Sequence, residues 1–83
     1  MSKKEKALAR LLSKSTDFTW DEALVVMKQH GFTTLNGNGS RRKFVHEVTR
    51  VKVLIHEPHP EKIIKAYALQ LLIDGLRNAG EIA

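Results

Sequence analysis

Hydrophobic and polar positions recur along this chain with two different periods, which divide it into helical and strand-like stretches. Alanine and leucine recur at helical spacing among lysines over residues 3–14, which predicts a first helix. Thr19-Trp20-Asp21-Glu22 has the form of a capping box, so a second helix is predicted from Trp20 to His30. Gly31 follows, and glycine readily takes the left-handed conformation that ends a helix.

The middle of the chain carries strand-like patterns separated by turn residues. Residues 32–35 predict a short strand, and Asn36-Gly37-Asn38-Gly39 is a strong hairpin turn. Further strands are predicted over residues 40–48 and 51–55, and the short connections indicate an antiparallel meander. Alternation divides the second strand into two faces, with Arg42, Phe44, His46 and Val48 on one and Arg41, Lys43, Val45 and Glu47 on the other.

A long helical pattern closes the chain. Pro60 suits the first position of a helix, so this helix is predicted from Pro60 to Asn78, before Gly80. Its predicted apolar stripe comprises Ile64, Ala68, Leu71, Leu72, Gly75 and Leu76, widened by Ile63, Tyr67 and Ile73. The order α-α-β-β-β-α predicts an α+β fold, in which helices cover one face of a three-stranded antiparallel sheet and leave the other partly solvated.

Composition and charge narrow the class of protein. The 83 residues allow a single small domain, and the net charge of +5 is typical of a nucleic-acid or acidic-protein partner, or of plain solubility. Cysteine is absent, which removes disulfide scaffolds and thiolate metal sites and fits a reducing compartment. No apolar run suits a membrane span or follows the basic N-terminus as in a secretory signal, so we expect a cytoplasmic protein.

A cluster of cations opens the second predicted strand. Arg41 and Lys43 share a face there, and arginine binds phosphate through two parallel N–H donors while lysine acts as a point charge. The alternative is a solvated strand whose charges prevent edge-to-edge pairing. Lys62 and Lys65 are assigned to the first turns of the last helix, where cations oppose the macrodipole. An anionic partner would offset that cost.

The segment His56-Glu57-Pro58-His59-Pro60 lies between the third strand and the last helix, and three interpretations stay open. The segment could hold a metal through its two histidines, form a rigid proline turn, or bind a phosphate beside which His56 or His59 relays protons. A metal is the least favoured, because only Glu57 and Glu61 lie near enough to complete a ligand set. Walker and dinucleotide motifs are absent from the sequence, so no cofactor is expected.

Together these motifs resemble those of the HicA family, small toxins of bacterial toxin–antitoxin pairs. The resemblance covers about residues 20–82 and is closest to a longer branch, in which a Gly-Ser-Arg strand precedes a His-x-Pro-His-Pro-x-Lys segment. The motifs that carry it are the helix ending in Gly31, Gly39-Ser40 followed by basic residues and Phe44, His56 to Lys62, and Asn78-Ala79-Gly80.

The resemblance implies a fold similar to a double-stranded RNA-binding domain, metal-independent cleavage of mRNA, and neutralisation by a HicB-type antitoxin. Residues 18–83 would form this RNA-binding domain and residues 1–17 a helical extension. The best-known members carry a catalytic histidine directly after Gly-Ser, where this chain has Arg41. Either His59 or His56 then supplies the imidazole, or the protein is a non-catalytic RNA-binding or protein-interaction module. The predicted RNA-binding residues are Gly39, Ser40, Arg41, Arg42, Lys43, Lys62 and Lys65.

Overall fold

Residues 3–83 are described by a computed structural model, in which three helices and a three-stranded antiparallel sheet follow one another in the order α-α-β-β-β-α. The elements are α1 (Lys3–Leu12), α2 (Trp20–Gln29), β1 (Phe32–Asn36), β2 (Arg41–His46), β3 (Lys52–His56) and α3 (Ala66–Asn78). The α+β class predicted from the sequence is confirmed. Among the described residues, no helix combines the length and the apolar character that crossing a membrane requires.

The boundaries of α2 are fixed by residues next to them in the sequence. The Thr19 hydroxyl accepts a hydrogen bond from the Glu22 backbone N–H at 3.2 Å, and the Glu22 carboxylate accepts one from the Thr19 N–H at 3.1 Å. This is the predicted capping box. The helix ends at Gln29, just before the predicted end at His30, and Gly31 takes the predicted left-handed conformation with φ +83°.

The sheet has the order β1-β2-β3 with antiparallel neighbours, as the short connections predict. One face packs against the helices, and its buried side chains are Phe32, Phe44, His46, Val53 and Ile55. β2 ends at His46 rather than at the predicted Val48, whose side chain is 84% exposed. The strand stops there because Nδ1 of His46 accepts the backbone N–H groups of Val48 and Thr49 at 3.3 and 3.1 Å, which closes a turn.

The hydrophobic core lies between the three helices and the buried face of the sheet. α1 contributes Leu11, which is fully buried in the same cluster as the side chains of the other elements. The division of the chain into an extension and a domain stays a prediction. α3 approaches β3 closely through Gly75, where an added Cβ would lie 2.2 Å from Cγ2 of Val53. Only glycine fits at this crossing without a shift of the helix or of the Val53 side chain.

The apolar stripe of α3 differs in part from the predicted one. Its buried residues are Ala68, Leu69, Leu72, Ile73, Gly75 and Leu76. The predicted stripe includes Leu71 and Tyr67, but these residues are 41% and 70% exposed. The side of the helix that meets the sheet is centred near Leu69 and Leu72, and at 3.6 residues per turn this directs Leu71 and Tyr67 toward solvent.

The last helix begins at Ala66 rather than at Pro60, so the predicted start is wrong. Residues 62–64 lie outside the helix because their backbone pairs with residues 18–20, at the start of α2. The Trp20 N–H donates to the Lys62 carbonyl at 2.8 Å, and the Ile64 N–H donates to the Phe18 carbonyl at 2.9 Å. Lys62 therefore lies outside the helix and does not oppose its macrodipole.

Candidate functional site

The ends of β2 and β3 bring Ser40 and His56 together at one corner of the sheet. Ser40 Oγ lies 3.2 Å from Nδ1 of His56, and the Glu57 backbone N–H donates to the Ser40 carbonyl at 2.8 Å. Arg41 is the cross-strand partner of His56 in the β2–β3 register. The serine contact occupies Nδ1, so Nε2 is the imidazole atom available to a ligand. His56 is exposed, as a ligand site requires.

Glu57 holds two of the predicted RNA-binding cations within the protein. Arg42 Nε donates to one carboxylate oxygen of Glu57 at 3.2 Å, and the Lys62 ammonium pairs with the other. The hydrogen bond from Lys62, together with the charges of both cations, lowers the pKa of Glu57 from its ordinary value. Arg42 also donates to the carbonyls of Gly39 and Arg41 at 2.9 and 2.7 Å. Arg42 therefore links the turn before β2 to the segment after β3, and its contact with RNA stays a prediction.

The open face of the sheet carries a cavity of about 490 Å³ that His56 lines together with Arg41 and Lys43. Within residues 3–83, the side chains of Arg41 and Lys43 form neither ion pairs nor hydrogen bonds. Both cations are therefore available to an anion. The sequence placed them on one face of the strand, and the register places that face beside His56.

A second cavity, of about 370 Å³, lies between the segment after β3 and the start of α3. His56 and His59 both line it, and Lys65 and Tyr67 line its other side. Lys65 is the N-cap residue of α3, and its side chain makes no capping hydrogen bond. His59 also lines a cavity with Ser40. The histidines, the serine and the helix start thus surround one corner, although the helix start lies later in the chain than predicted.

A pair of buried histidines, His30 and His46, lies at the opposite end of β2 and is not predicted by any sequence motif. Nε2 of His46 lies 3.0 Å and Nδ1 of His30 lies 3.3 Å from the carboxylate of Glu81. The contact with His46 and, after it, the contact with His30 lower the pKa of Glu81 from its ordinary value. His46 and His30 precede Glu81 by 35 and 51 positions in the chain, so a local sequence motif cannot predict this cluster. Among residues 3–83, no group of three or more His, Asp or Glu side chains is arranged to hold a metal.

Comparison with known protein families defines the class of the chain as that of bacterial toxins. A family model described as the HicA toxin of bacterial toxin–antitoxin matches residues 20–80, which include α2, the whole sheet and α3. The chain therefore belongs to the HicA toxin family, and its role is that of a toxin paired with an antitoxin. Searches of curated proteins and of solved structures return no match. α1 precedes the matched range.

Proposed function

We propose that this toxin binds and cleaves mRNA at the corner formed by Ser40, Arg41, His56 and His59. The observation that carries the proposal is the contact between Ser40 and His56 beside an unpaired arginine. The fold would present this corner in the manner of a double-stranded RNA-binding domain. We place the reaction in the bacterial cytoplasm, with a HicB-type antitoxin as the neutralising partner.

His56 is assigned the role of general base. Its Nε2 takes the proton from an RNA 2′-hydroxyl, which attacks the adjacent phosphorus. The hydrogen bond between Ser40 and Nδ1 orients the imidazole toward the substrate. A histidine suits this step because its ordinary pKa lies close to neutral pH, so both of its protonation states are accessible.

Arg41 and Lys43 stabilise the charge that develops on the phosphate. Both line the cavity with His56, and neither has a carboxylate partner within residues 3–83. Such preorganised cations lower the energy of a phosphorane more than that of the starting diester. Arg41 thus retains an electrostatic function at a position where the best-known family members carry histidine.

His59 is assigned the role of general acid. It lines one cavity with Ser40 and another with His56 and Lys65. Protonation of the departing 5′-oxygen by His59 completes the reaction, which yields a 2′,3′-cyclic phosphate and a free 5′-hydroxyl. The exposed ring of Tyr67, which lines the same cavity as both histidines, offers a surface on which an RNA base stacks.

The test compares purified wild-type protein with His56→Ala and His59→Ala on a single-stranded RNA oligonucleotide. Each variant should lower the cleavage rate by at least about 100-fold, the usual contribution of acid–base catalysis. Lys28→Ala, an exposed change on α2, serves as the control. Expression of the same variants in cells should relieve growth arrest in parallel. If both histidine variants still cleave RNA and arrest growth, the catalytic assignment is wrong.

The second candidate is a toxin that binds RNA or another protein without cutting. The observation that favours it is Arg41 at the position of the familiar catalytic histidine. RNA binding that weakens steeply with added salt, without cleavage products at any pH, would establish this function in place of the first.

A further inference from the structure

The open face of the sheet combines aliphatic and cationic side chains in rows across the strands. In the central row, Lys43 of β2 lies between Leu35 of β1 and Leu54 of β3. The two leucines are 47% and 67% exposed, although leucine is usually buried. Two exposed leucines on either side of a cation form an apolar strip that no element of the described chain covers.

Charge on this face has one predominant sign. Arg41, Lys43 and Lys52 point to it, and none of them has an ion pair or side-chain hydrogen bond within residues 3–83. The acidic residue at its margin is Glu47, whose carboxylate accepts a hydrogen bond from the Thr33 hydroxyl at 3.1 Å. A complementary surface must therefore supply carboxylates or phosphates around an apolar centre.

Apart from the corner at Arg41 and His56, the side chains of the face favour a protein over RNA. Single-stranded RNA binds by stacking its bases on aromatic rings, and among the described residues the open face presents no Phe, Tyr or Trp side chain. Four of the five aromatic residues are buried, namely Phe18, Trp20, Phe32 and Phe44. The exposed one, Tyr67, lines the cavity between His59 and α3 instead. Leucines, by contrast, pack against the aliphatic side chains of a protein partner.

We propose that the open face of the sheet, centred on Leu35, Lys43 and Leu54, is the docking surface for the antitoxin. The antitoxin segment that fits it carries aliphatic side chains flanked by Asp or Glu. This inference rests on the membership of the toxin family and not on RNA cleavage. Arg41 and His56 lie on the same face, so an antitoxin seated there also covers one side of the corner that holds Ser40.

The test measures binding of the purified full chain to the antitoxin protein encoded beside the toxin gene, by titration calorimetry. The double variant Leu35→Ser/Leu54→Ser and the single variant Lys43→Glu should each weaken binding by at least about tenfold, as expected for residues at the centre of an interface. Lys52→Glu tests the charge contribution separately. The substituted residues are at least partly exposed, so the variants should fold, and circular dichroism checks this; they are Leu35, Lys43, Lys52 and Leu54.

Matched controls lie on the helices, on the other side of the sheet from its open face. Val25 on α2 is 49% exposed and Lys6 on α1 is exposed, so Val25→Ser and Lys6→Glu repeat the loss of apolar surface and the charge reversal elsewhere. These controls should change antitoxin affinity by less than about twofold, as surface substitutions outside an interface do.

Binding of a single-stranded RNA oligonucleotide provides the second arm. The double leucine variant should bind this RNA as the wild type does. Unchanged antitoxin affinity in the leucine and lysine variants overturns the docking proposal, and so does a loss confined to RNA binding. If the wild type fails to cleave RNA while these variants lose antitoxin affinity, the proposed nuclease function fails and the docking surface stands.

Discussion

The hydroxyl of Ser40 lies 3.2 Å from Nδ1 of His56, across the paired ends of β2 and β3. The backbone reinforces this contact, because the N–H of Glu57 donates to the carbonyl of Ser40 at 2.8 Å. We therefore assign Ser40 to the proposed catalytic corner as a positioning residue. In the sequence, Ser40 follows Gly39 and reads as part of a turn. The pairing of β2 with β3 brings its hydroxyl to His56.

Ser40→Ala should slow RNA cleavage by about fivefold, because a hydrogen bond worth about 1 kcal/mol no longer orients the imidazole. RNA affinity should stay within about twofold of the wild type, since no cation is removed. Ser40→Thr should restore most of the rate. Cleavage rates measured from pH 5 to 9 show whether the ionisation of His56 shifts with the loss of its partner.

Ser13→Ala is the control. Ser13 lies just beyond the end of α1, and its hydroxyl also makes one hydrogen bond, to the Arg10 carbonyl. A cleavage rate for Ser40→Ala equal to that of the wild type, with an unchanged pH profile, would exclude a positioning role for this hydroxyl.

Local signals determine which parts of this structure the sequence predicts. Thr19, Glu22 and Gly31 act on neighbouring residues, and the boundaries of α2 follow from them. The start of α3 does not follow, because residues near Lys62 and Ile64 pair with a segment far away in the chain. A local pattern contains no information about such a partner. Pro60 therefore predicts a helix start, whereas α3 begins at Ala66.

The candidate site shows the same division. The alternation in β2 correctly separated Arg41 and Lys43 from Phe44 on the opposite face. That Arg42 binds RNA stays a prediction, and the sequence pattern does not indicate that Glu57 engages its guanidinium inside the protein. The pairing depends on how the turn before β2 meets the segment after β3, which is a tertiary relationship. The sequence thus predicts which side chains share a face of a strand. It does not predict ion pairs, such as that of Arg42 with Glu57, between segments far apart in the chain.

Glu57→Gln should release Arg42 and Lys62 and so strengthen RNA binding. Each additional phosphate contact steepens the dependence of log affinity on log salt by about 0.7 for a single strand, so two released cations predict a change of up to about 1.4. Cleavage should fall at the same time, because Arg42 no longer holds the Gly39 turn against the segment after β3. RNA affinity at several salt concentrations and the cleavage rate are the measurements.

Glu61→Gln removes the same charge from an exposed neighbour that pairs with neither cation. It should increase affinity only slightly and leave cleavage intact. If the two variants behave alike, net charge rather than the release of Arg42 and Lys62 explains the result.

Leu11→Ala tests whether α1 is part of the folded core. Leu11 is fully buried, whereas its neighbour Leu12 is 45% exposed. Truncation of the buried leucine should lower the free energy of unfolding by about 2–5 kcal/mol through lost burial and a residual cavity. Leu12→Ala should cost less than about 1 kcal/mol. Urea denaturation measures both, and equal losses would mean that α1 packs loosely on the remaining chain.

Glu81 makes the stability of the fold depend on pH in the acid range. Its contacts with His46 and His30 hold its pKa in the folded protein below the ordinary value of 4.5. The charged carboxylate is thus favoured in the folded state, so the contribution is fully present above pH 4.5 and is lost as the pH falls through the lowered pKa. Glu81→Gln should remove this contribution.

The measurement is the free energy of unfolding from pH 3 to 7 for the wild type, Glu81→Gln and the control Asp74→Asn. Asp74 lies on α3, where its half-exposed carboxylate accepts a hydrogen bond from Gln70 at 2.8 Å. The difference between the wild type and Glu81→Gln should be largest above pH 4.5 and shrink toward the acid end, because protonation of Glu81 removes the charged form that its contacts with His46 and His30 favour. The Asp74→Asn curve should follow the wild type. A constant difference across the range would show that the Glu81 carboxylate acts by packing rather than by charge.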